Sequence, residues 1–389
     1  MKKLITVILL LAMLLGMAGC ASMLRKEYYE VSDYVEETTD SPEDTGGGIK
    51  NYKALLRAIN RLVVRHDTDG RLTFSGYEGD ISDDLASACW EIKNNTPMGA
   101  FSVDYMSYDL SRIVSYYEAD IYITYRRTKT QVESIVNLSM TGMLQNQIQA
   151  AMKSGESYVL ASLNTLMINE ETVKEYVWEI YTEEQLRLVS LPKVTVNIYP
   201  DSGSEKIFEI SFDYGFPPEE VDRLRAEQTE AVGAFVTGVP KTEDQSQQLY
   251  QLCRALDNSA TYDPDSSGRL ALAGRDNGLG ATAYGVFVDG LADSRGFAMA
   301  VKLLCQLYGI ECMPVGGQLD SQTHWWNIVN IGGDNFHIDV THWSSAPFLR
   351  SDDTMHELGY SWDISRYPVC ASGDNGQSIT PADYPAGRD

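Results

Sequence analysis

The chain has 389 residues, 43% of them hydrophobic and 10% aromatic, with 31 basic against 55 acidic residues and a formal charge of −24. That length predicts two or three domains, and the apolar content excludes global disorder. The acidic balance argues against binding nucleic acid, and against holding anionic lipid through a basic patch.

Lys2 and Lys3 precede an apolar run, Leu4 to Leu15, too short to span a bilayer as a folded helix. It ends in Met17-Ala18-Gly19-Cys20. Small residues before a cysteine resemble a bacterial lipobox. That resemblance implies a lipoprotein signal peptide over 1–19, lipidation of Cys20, and a protein lipid-anchored to the cell membrane on its extracytoplasmic face. The plainer reading is an ordinary signal peptide with an incidental cysteine. Residues 20–48 are acidic, poor in apolar side chains and end in Gly46-Gly47-Gly48. They predict a flexible tether. Beyond Cys20 the cysteines are Cys89, Cys253, Cys305, Cys312 and Cys370. An odd number allows at most two disulfides. Their spacing matches no zinc pattern, so no metal and no cofactor is expected.

Leu55, Leu56, Ile59, Leu62 and Val63 recur at helical spacing and open a folded region. A repeat follows. Cys89-Trp90-Glu91-Ile92 matches Val177-Trp178-Glu179-Ile180, 88 residues apart at the tryptophans. Ile121, Ile123 and Tyr125 alternate as Ile210, Phe212 and Tyr214 do. Val132 and Val221 each lie seven residues beyond the last tyrosine, at the start of a helical pattern. With strands expected at Leu72–Tyr77 and Tyr158–Leu163, the pattern predicts an α+β fold with two tandem modules, 49–150 and 151–239. A single α+β domain with chance similarity is the alternative. Pro217-Pro218-Glu219-Glu220 starts a helix that Gly238-Val239-Pro240 ends, and another is expected from Glu243 to about Asn258. His66–Gly70 and Asp263–Gly268 lack the full ligand set of a calcium loop and read as turns.

From Ala281 onward lie Thr282–Gly290, Gly296-Phe297-Ala298-Met299-Ala300, Gly309-Ile310, His324-Trp325-Trp326-Asn327 and Asp339-Val340-Thr341. In this order and spacing they resemble bacterial transglutaminase-like domains, which are papain-like thiol enzymes. The likeness covers about the last third of the chain, and the last domain is placed at 240–389. It implies a triad at Ser294, His324 and Asp339, with Tyr284, Arg295, Trp325, Trp326 and Asn327 lining the site. The chain departs from the family at its centre, because a cysteine is expected where Ser294 stands. Arg295 departs too, since an acid or amide is common there.

Residue 294 falls at the start of a helix carrying Phe297, Val301, Leu304 and Tyr308. A cysteine there has a lowered pKa and is a ready thiolate. A serine hydroxyl stores no such charge and reacts only if His324 takes its proton during attack. Cys305 lies eleven residues further along that helix, about 16 Å away, and does not replace the missing sulfur. Serine also suits a plain helix N-cap, its preferred structural reading here. His337 and His342 read as structural or surface residues. Three functions stay open. One is a silent cleft that binds a peptide-like or envelope partner. Another is a Ser-His-Asp amide hydrolase or acyltransferase. The last is a structural lipoprotein. Nothing in the pattern sets an oligomeric state.

Overall fold

The computed structural model describes residues 48–265, 278–341 and 347–371. The targeting segment with Cys20, the tether through residue 47, and His342 lie outside the described residues. Helix α1 (Tyr52–Arg65) starts at Asn51, whose side chain accepts from Ala54 N–H. It buries Leu55, Ile59 and Val63, one residue per turn on a single face. Strand β1 (Asp69–Phe74) begins three residues before the expected Leu72 and stops where Ser75 and Gly76 turn the chain. Helices α2 (Ile81–Asn95) and α3 (Pro97–Ser102) lead into the hairpin β2 (Val103–Ile113) and β3 (Tyr116–Tyr125). The sheet order is β1-β3-β2, all antiparallel, with Ala119, Ile121 and Ile123 facing the helices.

The next segment contains α4 (Lys129–Glu133), β4 (Val136–Leu138), α5 (Thr141–Ser154), β5 (Tyr158–Asn164), α6 (Glu170–Glu183), β6 (Lys193–Tyr199), β7 (Glu205–Asp213) and α7 (Pro218–Gly238). Its sheet order is β4-β5-β7-β6, so β5-β7-β6 repeats the order of β1-β3-β2. The spacing repeats as well. Tyr52 and Thr141, Asp69 and Tyr158, Ile81 and Glu170, Tyr116 and Glu205 each start matching elements 89 residues apart. Even the edge recurs: β4 lies parallel to β5, and Ile49 makes a parallel bridge to Phe74 of β1. Within α2 and α6 the buried positions Leu85, Cys89 and Ile92 correspond to Val173, Val177 and Ile180. The segments differ at their ends. α4 is a single turn because β4 follows it, whereas α7 runs for 21 residues.

The remainder comprises α8 (Gln245–Ser259), the two-residue strands β8 (Thr261–Tyr262) and β9 (Leu291–Ala292), α9 (Ser294–Tyr308), then β10 (Glu311–Leu319), β11 (Gln322–Ile331), β12 (Asp334–Ile338), β13 (Phe348–Arg350), α10 (Asp352–Glu357) and β14 (Tyr360–Ser361). The larger sheet runs β13-β12-β11-β10-β14, entirely antiparallel. Gly332 and Gly333, both at positive φ, turn β11 into β12 at the expected place. α9 packs against β10 and β11 and is buried along almost its whole first three turns. Each large apolar side chain hidden there contributes roughly 1.5–3 kcal/mol.

Two cores result. One lies under β1–β3, with Leu55, Ile59, Leu85 and Ile121 fully buried. The other is continuous from β5–β7, through Val177 and Tyr181 of α6, to Val301, Leu304 and Val329. The second sheet therefore shares its core with α9 and β11. A small cluster of Phe101, Val132, Leu160 and Ile207 joins the first core to the second. Beside it the buried Glu209 receives Arg127 at 2.8 Å, Tyr158 at 2.8 Å and Tyr199 at 3.0 Å, which compensates the burial of its charge.

Gly296 explains how α9 is set. A Cβ there would come within 2.6 Å of the Gly280 carbonyl and 2.8 Å of Ala292 Cβ. The strand leading into the helix passes against its first turn, and only glycine leaves room. Gly296→Ala should destabilise the fold by about 1–3 kcal/mol in urea unfolding, although alanine alone favours a helix by ~1 kcal/mol. Unchanged or raised stability would mean that this close approach is not a constraint.

Candidate functional site

At the start of α9 the structure corrects one expectation. The N-cap is Asp293, whose side chain accepts from Gly296 N–H at 2.9 Å. Ser294 is instead the first helical residue, and its Oγ accepts from the backbone N–H of Trp325 at 3.2 Å. Burial pushes the Asp293 carboxyl up, opposed by the Gly296 and Arg295 N–H groups and the Arg295 charge. A carboxylate already satisfies the end of the helix that would otherwise favour an anion at residue 294.

His324 and Asp339 do come together. His324 Nε2 lies 2.8 Å from Asp339 Oδ2. Asp339 also accepts from Tyr360 OH at 2.6 Å, Thr341 N–H at 2.9 Å and Thr341 Oγ1 at 2.7 Å. Burial alone would raise this carboxyl. The hydrogen bond and charge of His324, with the Tyr360 and Thr341 hydroxyls, outweigh that and hold it below the usual range. Tyr360 is pushed strongly upward by burial and by Asp339, so it stays a donor. Ser294, His324 and Asp339 are 7%, 3% and 2% exposed. The imidazole is enclosed by the rings of Tyr262, Trp326 and Tyr360. Among the described residues, Ser294 Oγ has the Trp325 N–H, and no imidazole nitrogen, as its hydrogen-bond partner.

The other expected site residues divide. Trp325 and Asn327 lie on the α9 side of β11, where Asn327 Nδ2 donates to Ala298 O at 2.9 Å. Asn327 is buried, so it straps sheet to helix and lines no open surface. Trp326 faces the other way into a core of Val315, Ile328, Met355 and Tyr360, where its ring stacks beside the His324 imidazole. Tyr284 turns to α7, donating to Glu227 at 2.6 Å among Val189, Leu224 and Leu279. Its neighbours are thus not the triad positions. Arg295 packs over the rings of Trp178 and Trp325, 5.2 and 5.4 Å from their centroids.

Trp325 forms part of a groove of about 650 Å³ with Trp178, Thr323, Trp362, Arg366 and Tyr367. Its floor is Gly316 and Gly317 of β10. A Cβ on Gly316 would stand 3.0 Å from the Trp325 ring, and one on Gly317 would strike Trp326 and the Ser361 carbonyl. The glycine pair thereby admits an indole on each face of the sheet. Thr323 and Trp325 flank His324, and Ser361 follows Tyr360, so the groove borders the buried His324–Asp339 network. Sequence reasoning missed Tyr360, Thr341 and Trp178 as site residues. Trp178 carried a signal as a repeat residue, but its partner Trp325 lies 147 positions away.

Among the described residues, one cluster has metal-ligand chemistry: His337, Asp352 and Cys370. Trp326 Nε1–H donates to His337 Nδ1 at 2.9 Å, so the ring proton sits on Nε2 and points to Asp352 Oδ1, 2.8 Å away. A metal would need that nitrogen's lone pair, and the indole leaves the proton no other place. The residues present do not suit a metal. Burial pushes the Cys370 thiol up to about 12 and the Cys89 thiol up to about 11. Cys253, Cys305 and Cys312 are buried as well, and no thiol stands in for Ser294.

The fold and site define a mixed α+β protein with a buried His324–Asp339 pair and a buried Ser294 held by the β11 main chain. No family model matches the chain, and no curated protein sequence matches it. A crystal structure of a TGase aligns with 62% of this chain and 67% of that one, at 11% identity and a TM-score of 0.28. A likeness this weak carries no argument about the fold.

His337 gives a pH prediction. Burial lowers its pKa against the opposing Asp352 carboxylate. An unfolded histidine titrates at about 6.5, so below that pH the unfolded chain binds the extra proton. The contribution is complete above about pH 6.5 and is lost as pH falls through the lowered folded value. Glutamine can accept from Trp326 and donate to Asp352 without titrating. Urea midpoints should fall less between pH 7 and 5 in His337→Gln than in wild type. Equal slopes would show that His337 carries no such linkage.

Proposed function

We propose that this chain is a lipid-anchored bacterial surface protein whose transglutaminase-like domain is catalytically silent. It binds a peptide-like ligand from the envelope in the groove beside the former active site. The observation that carries this reading is the hydrogen bond from Trp325 N–H to Ser294 Oγ. It holds the serine oxygen on the β11 main chain, and among the described residues no imidazole nitrogen bonds the hydroxyl whose proton attack would have to give to His324. Asp293 supports the reading, because it caps the helix end that would stabilise a developing anion. The groove offers Trp178, Trp325, Trp362 and Tyr367 with a glycine floor, a surface suited to an extended chain. The two repeated segments read as copies of one module, and the second contributes Trp178 to that groove. Cys20 and the acidic tether would hold the assembly away from the membrane. No helix among the described residues is long and apolar enough to cross one.

The rival is an active hydrolase or acyltransferase with Ser294 as nucleophile, His324 as base and Asp339 as orienter. The preserved His324–Asp339 bond favours it. A thiol at 294 would be exempt from the serine's handicap, since His324 and the Trp325 N–H favour a thiolate. Ser294→Cys should therefore gain iodoacetamide reactivity above that of the five buried thiols, reduced about tenfold or more when His324→Ala is added. Wild type should release no ammonia or amine from a panel of peptide amides. Ser294-dependent turnover by wild type would replace this reading with the rival.

A further inference from the structure

We infer that the groove takes a neutral, proline-rich peptide in the polyproline II conformation, an inference that rests on the groove being the site where a peptide binds. The other extended mode, pairing as an added strand, is closed off. The last two residues of β10 already pair with β14. Gly316 gives its N–H to Tyr367 OH at 3.2 Å. Pro314, two residues earlier and so turned to the same side, has no N–H to give. The edge beside the groove therefore offers an incoming strand no free donor at Pro314 or Gly316.

What the groove does offer is ring faces and side-chain donors. Trp178, Trp325, Trp362 and Tyr367 all line it. The buried Trp326 spends its indole N–H on His337. The indole N–H groups of Trp178, Trp325 and Trp362 meet no acceptor among the described residues, and none of these nitrogens is buried. Tyr367 OH accepts from Gly316 and keeps its own proton to donate. The rings are braced. Arg295, which does not line the groove, packs on Trp178 and Trp325, and His356 stacks on Trp362 at 4.3 Å and 6°. Rings held in this way lose little freedom on binding. The charged walls are Asp363 and Arg366, and the Arg366 charge already acts on Asp363. Opposed charges leave the walls neutral, which suits a neutral ligand. A polyproline II chain matches these features. It makes no hydrogen bonds of its own, so its carbonyls are open to indole and phenol donors, while its proline rings pack on the aromatic faces. A pyranose would use the same rings, but its hydroxyls also need acceptors, and Asp363 is engaged by Ser365 N–H and Oγ.

The plainer alternative is that these rings only pack α6 and the segment after β14 against the sheet. The test uses the whole chain and three neutral probes: acetyl-hexaproline amide, the strand-forming acetyl-Thr-Val-Ser-Thr-Val-Ser amide, and a linear N-acetylglucosamine hexamer. Binding is read by calorimetry and from the indole N–H signals in nitrogen–proton correlation spectra, assigned on the wild type. Hexaproline should bind about tenfold or more tighter than either other probe. It should shift the Trp178, Trp325 and Trp362 signals and leave that of Trp326 in place. Trp178→Phe and Trp362→Phe, which keep a ring and lose the donor, should each weaken hexaproline about threefold or more. Thermal melts report whether each variant is folded, and the wild-type shifts decide if one is not. Hexaproline binding that leaves the three signals unmoved, or that survives both folded variants undiminished, overturns the inference. If the strand-former binds as tightly and Trp178→Ala abolishes it, the inference fails while the groove reading stands. If only the sugar binds, or nothing binds at millimolar concentration, the peptide reading of the groove fails with it.

Discussion

Trp325 is held at its backbone by one partner and at its side chain by others, and the site depends on that double attachment. Its N–H is given to Ser294 Oγ, which fixes the first turn of α9 against β11. Its indole meets Trp178 of α6 and Arg295 of α9. One residue thereby joins the sheet, the helix and the repeated segment into a continuous core. Gly316 opposite leaves the space that the Trp325 indole requires. Two residues further on, Asn327 repeats the attachment through the Ala298 carbonyl.

The same geometry holds the His324–Asp339 pair and Ser294 by different partners. On one face of β11, His324 and Asp339 form a fully hydrogen-bonded network with Tyr360 and Thr341, and the buried carboxylate is kept ionised. That network is well maintained, and four donors on one carboxylate would be costly to lose. On the other side, Ser294 is tied to main chain, and Asp293 rather than a nucleophile takes the helix terminus. The polar network stabilises the fold, and the groove lies beside it.

Much of the architecture was legible because it is local. The spacing of Leu55, Ile59 and Val63 becomes the buried face of α1, and the alternation Ile121–Ile123 and Ile210–Phe212 becomes the core faces of β3 and β7. The 88-residue echo of the tryptophans reflects a spacing of 89 that the elements themselves share. β1 was displaced by three residues, since Leu72–Tyr77 is apolar enough to read as a strand although Gly76 ends it. The cap was ambiguous because Asp293 and Ser294 are both good N-cap residues, and only the packing of the chain against Gly296 chooses between them. Tyr360, Thr341 and Trp178 join the site through tertiary contacts that have no local pattern. The inward placing of Trp326 and Asn327 depends on which sheet face meets α9, and Tyr284 was claimed by a helix far from the motif.

The central claim, that Ser294 is not a nucleophile, is tested most directly by intact-mass detection of a fluorophosphonate adduct on the wild-type chain. The account predicts no adduct at Ser294 under conditions that fully label a reference serine hydrolase. An adduct mapped to Ser294 that disappears in His324→Ala would contradict it.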